Sequence, residues 1–108
     1  MIILQDYEQI LSGIWEETAK YLGVFTVKLL VDRVIYDLSP ELPEVEILEC
    51  DETGFDFEKI RKFLRDNPDF DFGELVSKFT TKYVGIIAKL VDPKTLQNLK
   101  EKLERKGF

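Results

Sequence analysis

Apolar side chains recur along the chain at intervals of three and four residues. In the first segment Tyr7, Ile10, Leu11, Ile14, Trp15, Thr18 and Leu22 form such a stripe, the mark of an amphipathic helix with one face on a core. Glu8, Glu16, Glu17 and Lys20 fall on its polar side. Asp6 is placed as the N-cap, with Gln9 three residues later completing a capping box, and Gly23 is placed to end the helix in a left-handed conformation.

Val24–Leu38 is rich in β-branched residues and would suit a strand on propensity alone. Its period decides for a helix: Val27, Leu30, Val31, Val34, Ile35 and Leu38 repeat at three and four, and Lys28 with Asp32 and Arg33 with Asp37 make i,i+4 pairs on the other side. Thr26 serves as its cap, with Phe25 packing on Leu30 as a hydrophobic staple. The width of its apolar face makes this helix the expected centre of the fold.

Pro40 and Pro43 then break the helical pattern. Residues 45–50 alternate Val45 and Ile47 with Glu46 and Leu48, which reads as a short extended piece. Three arrangements satisfy it: pairing with a second copy of the chain, pairing with another extended piece such as residues 2–4, or a loop that packs its apolar side chains on the helices. Asp51-Glu52-Thr53-Gly54 has the composition of a turn.

Phe55-Asp56-Phe57 and Phe70-Asp71-Phe72, fifteen residues apart, share one design. In each the aspartate is an N-cap, the phenylalanine before it an N′ residue, and Ile60 or Leu75 its staple partner; Asp71 also forms a capping box with Glu74. The third helix is expected over Phe57–Asp66 and the fourth from Phe72, carrying Leu75, Val76, Phe79, Tyr83, Val84, Ile86, Ile87, Leu90 and Val91. Asp92 and Pro93 end the fourth and start a fifth, with Leu96, Leu99 and Leu103 on one face. The reading is an all-α, four- to five-helix, bundle-like single domain over residues 1–108, with one short extended segment near 45–50.

Composition narrows the chemistry. The chain has no histidine, so Ser-His-Asp and Cys-His nucleophile systems and the Glu-x-x-His motif of di-iron bundles are excluded. One cysteine, Cys50, provides neither an internal disulfide nor a tetrahedral zinc set. The carboxylates Asp51 and Glu52 beside it disfavour the thiolate. Calcium-loop spacing fails from both Asp51 and Asp69, and the six glycines are too scattered for a phosphate loop. No cofactor and no metal are expected, and no enzyme activity. Four apolar residues at the N-terminus are too few for a signal peptide, and no run approaches the roughly 20 of a membrane span, so a cytoplasmic protein is expected.

Charge adds a polarity along the chain. Residues 1–54 hold 12 acidic and 3 basic side chains, whereas residues 55–108 hold 9 acidic and 12 basic. No basic residue lies between Arg33 and Lys59. Glu41, Glu44, Glu46, Glu49, Asp51 and Glu52 therefore form a candidate partner-binding surface within residues 41–58. The basic C-terminal helix is interleaved with Glu101 and Glu104, and the chain is acidic as a whole, which opposes nucleic-acid binding. Apolar faces wider than one contact needs suggest a homodimer that also binds another protein, a non-catalytic interaction or regulatory domain with no membrane contact. The alternative is a small-molecule sensor with an apolar pocket at Trp15, Phe25 and Tyr83.

Overall fold

The computed structural model describes residues 4–105. The order is α1 (Leu4–Leu22), α2 (Val24–Leu38), a 3-10 helix (Pro43–Leu48), β1 (Cys50–Asp51), β2 (Gly54–Phe55), α3 (Phe57–Asp66), α4 (Phe72–Leu90) and α5 (Pro93–Arg105). The fold is all-α, and the one sheet among the described residues is an antiparallel hairpin of two-residue strands that pairs Cys50 with Phe55 and Asp51 with Gly54. Among the described residues no helix is long and apolar enough to cross a membrane.

The three aspartate caps form as the sequence implies. Asp56, Asp71 and Asp92 accept from the amides of Lys59, Glu74 and Thr95 at 3.1, 3.0 and 3.1 Å, satisfying amides that the first turns leave without helical partners. The Glu74 carboxylate turns to Lys78, 3.2 Å away along its own helix. Two other starts differ from expectation. The first helix begins at Leu4, so Asp6 lies inside its first turn, and α2 begins at Val24, so Thr26 does too. Phe25 is 67% exposed and makes no staple.

One residue, Gly23, both ends α1 and starts α2. Its amide donates to the Ala19 carbonyl at 2.8 Å and its carbonyl accepts from the Val27 amide at 3.1 Å. The backbone there sits at φ 84°, ψ 154°, an extended region of positive φ rather than the left-handed helical one, and populated almost only by glycine. The chain thereby reverses with no connecting loop, which places α2 against α1.

Residues 43–48 form a 3-10 helix in place of the expected extended piece. Val45, Ile47 and Leu48 are buried beneath α2, α3 and α4, the packed-loop alternative in helical form. A three-residue turn sets Val45 and Leu48 on one side. Of the proposed strand partners, Ile2 and Ile3 lie outside the described residues, and the extended part that remains, Cys50–Asp51, pairs with Gly54–Phe55.

The core sits around α2, which packs on α1, α4, the 3-10 helix and β1. Val27, Leu30, Val31, Val34 and Ile35 meet Leu11 and Ile14 of α1 and Leu75, Val76, Phe79, Tyr83 and Ile87 of α4 in one cluster. Phe55 reaches in from the hairpin, its ring edge-on to Phe79 at 6.0 Å, and Phe79 stacks on Tyr83 at 5.7 Å. Phe70 packs edge-on to Phe63, tying the turn after α3 back to it. Leu90 is 56% exposed, so the inward stripe of α4 ends a turn earlier than its sequence implies. On α5 Leu99 is buried and Leu96 partly so, while the side chain of Leu103 lies outside the described set.

A side chain at position 23 would meet nothing within 4 Å, so any cost of adding one is conformational. Gly23→Ala is expected to destabilise the fold by about 1–3 kcal/mol, read as a lower urea midpoint at unchanged slope. An unchanged midpoint would show that the junction tolerates other backbone angles.

Candidate functional site

The acidic stretch is built on the 3-10 helix and the hairpin. Burial of Val45, Ile47 and Leu48 leaves Glu46 and Glu49 exposed and Glu44 half-buried. Lys59 of α3 lies 3.5 Å from the Glu49 carboxylate and donates to the Glu46 carbonyl. Asp51 is spent on its own turn: it accepts from the Thr53 hydroxyl and amide at 2.6 and 2.8 Å, which holds its carboxyl below the usual carboxylate range. Glu52 is exposed at the hairpin tip. Glu41 stands apart, on the rim of a groove of about 530 Å³ that it shares with Lys78, Lys82 and Lys89. The six candidate residues therefore do not share one surface. Glu46 and Glu49 do come together, around a hollow of about 440 Å³ with Lys28, Asp32, Tyr36 and Cys50. Among the described residues no group of three or more carboxylates or thiols is placed to hold a metal ion.

The candidate pocket residues are also separated. Trp15 lines a hollow of about 210 Å³ with Ser12, Glu16, Thr53, Gly54, Phe55 and Phe57, where α1 meets the hairpin. Tyr83 is in the core, 1% exposed, with its hydroxyl 2.9 Å from the Thr18 hydroxyl. Thr18 gives its proton to the Ile14 carbonyl at 2.7 Å, which leaves Tyr83 as the donor between them. Burial pushes the Tyr83 phenol up to about 12. Phe25 points to solvent from α2, so the three rings line no common cavity.

Cys50 is buried in β1. Burial first, and Asp32 second, push its thiol up to about 11, with Lys28 opposing. The direction agrees with the sequence reading, but Asp51 is a minor contributor.

Glu17 departs from its expected place on the polar face of the first helix. It is 3% exposed, with Lys20 at 3.1 Å and Lys102 of α5 at 3.9 Å. Lys102 also donates to the Tyr21 hydroxyl at 3.0 Å and lies 5.0 Å over that ring. These contacts, with Leu99, hold α5 on α1. The position was readable: Glu17 lies three residues after Ile14 and beside Thr18, at the border of the apolar arc.

The outer face of α2 carries Phe25, Leu29 and Tyr36, which are 67%, 53% and 75% exposed. At 100° per residue they fall within about 40° of one another. The inner residues Val27, Val31 and Val34 lie on the opposite side. The expected ion pairs flank this stripe, Lys28 with Asp32 at 3.0 Å and Arg33 with Asp37 at 3.2 Å. A helix apolar on two opposite faces is one whose second face is not explained by its own core.

At pH 8 a thiol with pKa about 11 is ionised to about one part in a thousand, against about a tenth at its ordinary value of 9.0. Native Cys50 is expected to react with a thiol reagent at least about 100-fold more slowly than in the unfolded chain; equal rates would show that the hairpin opens freely. Cys50 and Tyr83 both bind their protons more tightly folded than unfolded, with values raised from 9.0 to about 11 and from 10.0 to about 12. Their stabilisation is whole below about pH 9 and is lost as the pH climbs through 9 to 12. Tyr83→Phe is expected to cost about 1 kcal/mol at pH 7, through the lost bond to Thr18, and to flatten the upper part of that decline in urea titrations. A decline of unchanged shape would assign it to other groups. No protein-family model matches the chain, and no curated protein or solved structure shows significant similarity to it.

Proposed function

We propose that the chain is a non-catalytic helical interaction domain that docks a protein partner on the outer face of α2. The observation that carries this reading is the exposure of Phe25, Leu29 and Tyr36 in one line on the helix whose other face forms the core. Large aromatic side chains held on a rigid helix lose little conformational freedom when a partner covers them. Glu46 and Glu49, beside Tyr36 around the same hollow, give the apolar line a charged rim, the usual anatomy of a protein interface. The acidic segment thus serves as the edge of the docking surface rather than as its centre.

Cys50 and Tyr83 have strongly raised pKa values, and both are buried and protonated at neutral pH, the state in which neither thiol nor phenol is a nucleophile. That supports a non-catalytic role. A lone reduced thiol fits a reducing compartment, the cytoplasm.

A photo-crosslinking residue placed at 25, 29 or 36, in the cells that make the protein, is expected to yield adducts of discrete mass. The same residue at the exposed Lys62 of α3 is the control and is expected to yield none. Absence of adducts at all three α2 positions would overturn the docking reading.

A further inference from the structure

We infer that the partner seated on this face is a second copy of the chain, with the two α2 helices antiparallel about a two-fold axis that crosses them near residue 30. The inference rests on the docking reading above and adds the occupant and the register.

Charge selects the occupant. The chain carries a net charge of −6, which opposes contact between copies over most surfaces. The second helix is neutral, with Lys28 and Arg33 balancing Asp32 and Asp37, and of the two rim carboxylates Glu49 has Lys59 at 3.5 Å, so two copies meet on this face with less repulsion than the net charge of the chain implies.

Charge also selects the direction. Lys28 and Asp32 lie on the same flank of the stripe, 3.0 Å apart and about half exposed. A parallel two-fold pair brings opposite flanks together, so it would set Lys28 of one copy against Arg33 of the other and Asp32 against Asp37, all like charges. An antiparallel pair sets Lys28 of each copy against Asp32 of the other, and the two intrachain pairs become a ring of four alternating charges. The same register places Phe25 at the level of the other copy's Tyr36, at both ends of the contact, with the two Leu29 side chains near the axis. Arg33 and Asp37, on the other flank, stay engaged with each other and with Lys82, which is 3.7 Å from Asp37. A two-fold contact of this kind is self-complementary and closes at the dimer.

The exposed parts of Phe25, Leu29 and Tyr36 together amount to roughly 400 Å² per copy, given the 150–250 Å² that a whole aromatic side chain buries. A stable complex buries about 800 Å² per partner. The dimer is therefore expected to be weak and reversible, with a dissociation constant on the order of micromolar or above.

Sedimentation equilibrium of the full chain from about 1 to 500 µM tests the proposal. The expected result is a monomer–dimer equilibrium. Phe25→Ser combined with Tyr36→Ser is expected to be monomeric throughout, with its melting temperature unchanged because both side chains are exposed. Lys28→Glu alone and Asp32→Lys alone should each weaken the dimer roughly five- to tenfold, since each sets two like pairs across the axis. An equimolar mixture of those two single variants should recover dimer, because every cross-axis pair in the mixed dimer is again of opposite sign. A strict monomer over the whole range overturns the proposal, as does a dimer that survives the double serine variant. If the chain is a monomer while crosslinkers at 25, 29 and 36 capture a different protein, the self-partner falls and the docking reading stands. If the chain is a monomer and no adducts form, both fall.

Discussion

The structure depends on the burial of the inner face of α2. Its valines and isoleucine lower helix propensity, so the helix is held less by its own backbone than by what packs on it. Each of Val27, Leu30, Val31, Val34 and Ile35 contributes on the order of 1.5–3 kcal/mol when fully removed from water, and together they fix four neighbours at once: α1, α4, the 3-10 helix and β1. The Gly23 junction and the Thr18–Tyr83 hydrogen bond then set how α1 and α4 meet around it.

What the sequence made legible follows from how local each signal is. The bounds of α3 and the caps at Asp56, Asp71 and Asp92 needed only a few adjacent residues, and each was readable. The 3-10 helix was not, because Val45 and Ile47 imitate the alternation of a strand and only the surface beneath them shows that Leu48 is buried as well. Thr26 and Asp6 fit a capping pattern, but Gly23 and the earlier start of α1 moved both helix origins upstream. Of the candidate site, the acidic carboxylates were found as residues but not as a surface, since the chain turns twice between Glu41 and Glu52. The stripe of Phe25, Leu29 and Tyr36 has a helical period of its own, yet a period cannot say which of two apolar faces the core will take.

The charge polarity between the two halves resolves largely inside the chain. Arg61 grips Glu8 with two bonds, at 2.7 and 2.9 Å, and Lys59 with Glu49, Lys82 with Asp37 and Lys102 with Glu17 also join a basic residue of the second half to an acidic one of the first. Such pairs, when exposed, add little stability each. Their value is orientation, because a misplaced second half would oppose carboxylates to carboxylates.

The attachment of α5 has a further consequence. It packs on α1 and α4 through Leu99 and the Lys102 contacts. With Leu99 as its one buried apolar side chain among the described residues, α5 is expected to exchange its amides with solvent through local openings that leave the central helices closed. The helix that carries the aromatic stripe, with five buried side chains on its inner face, belongs to the part that stays closed.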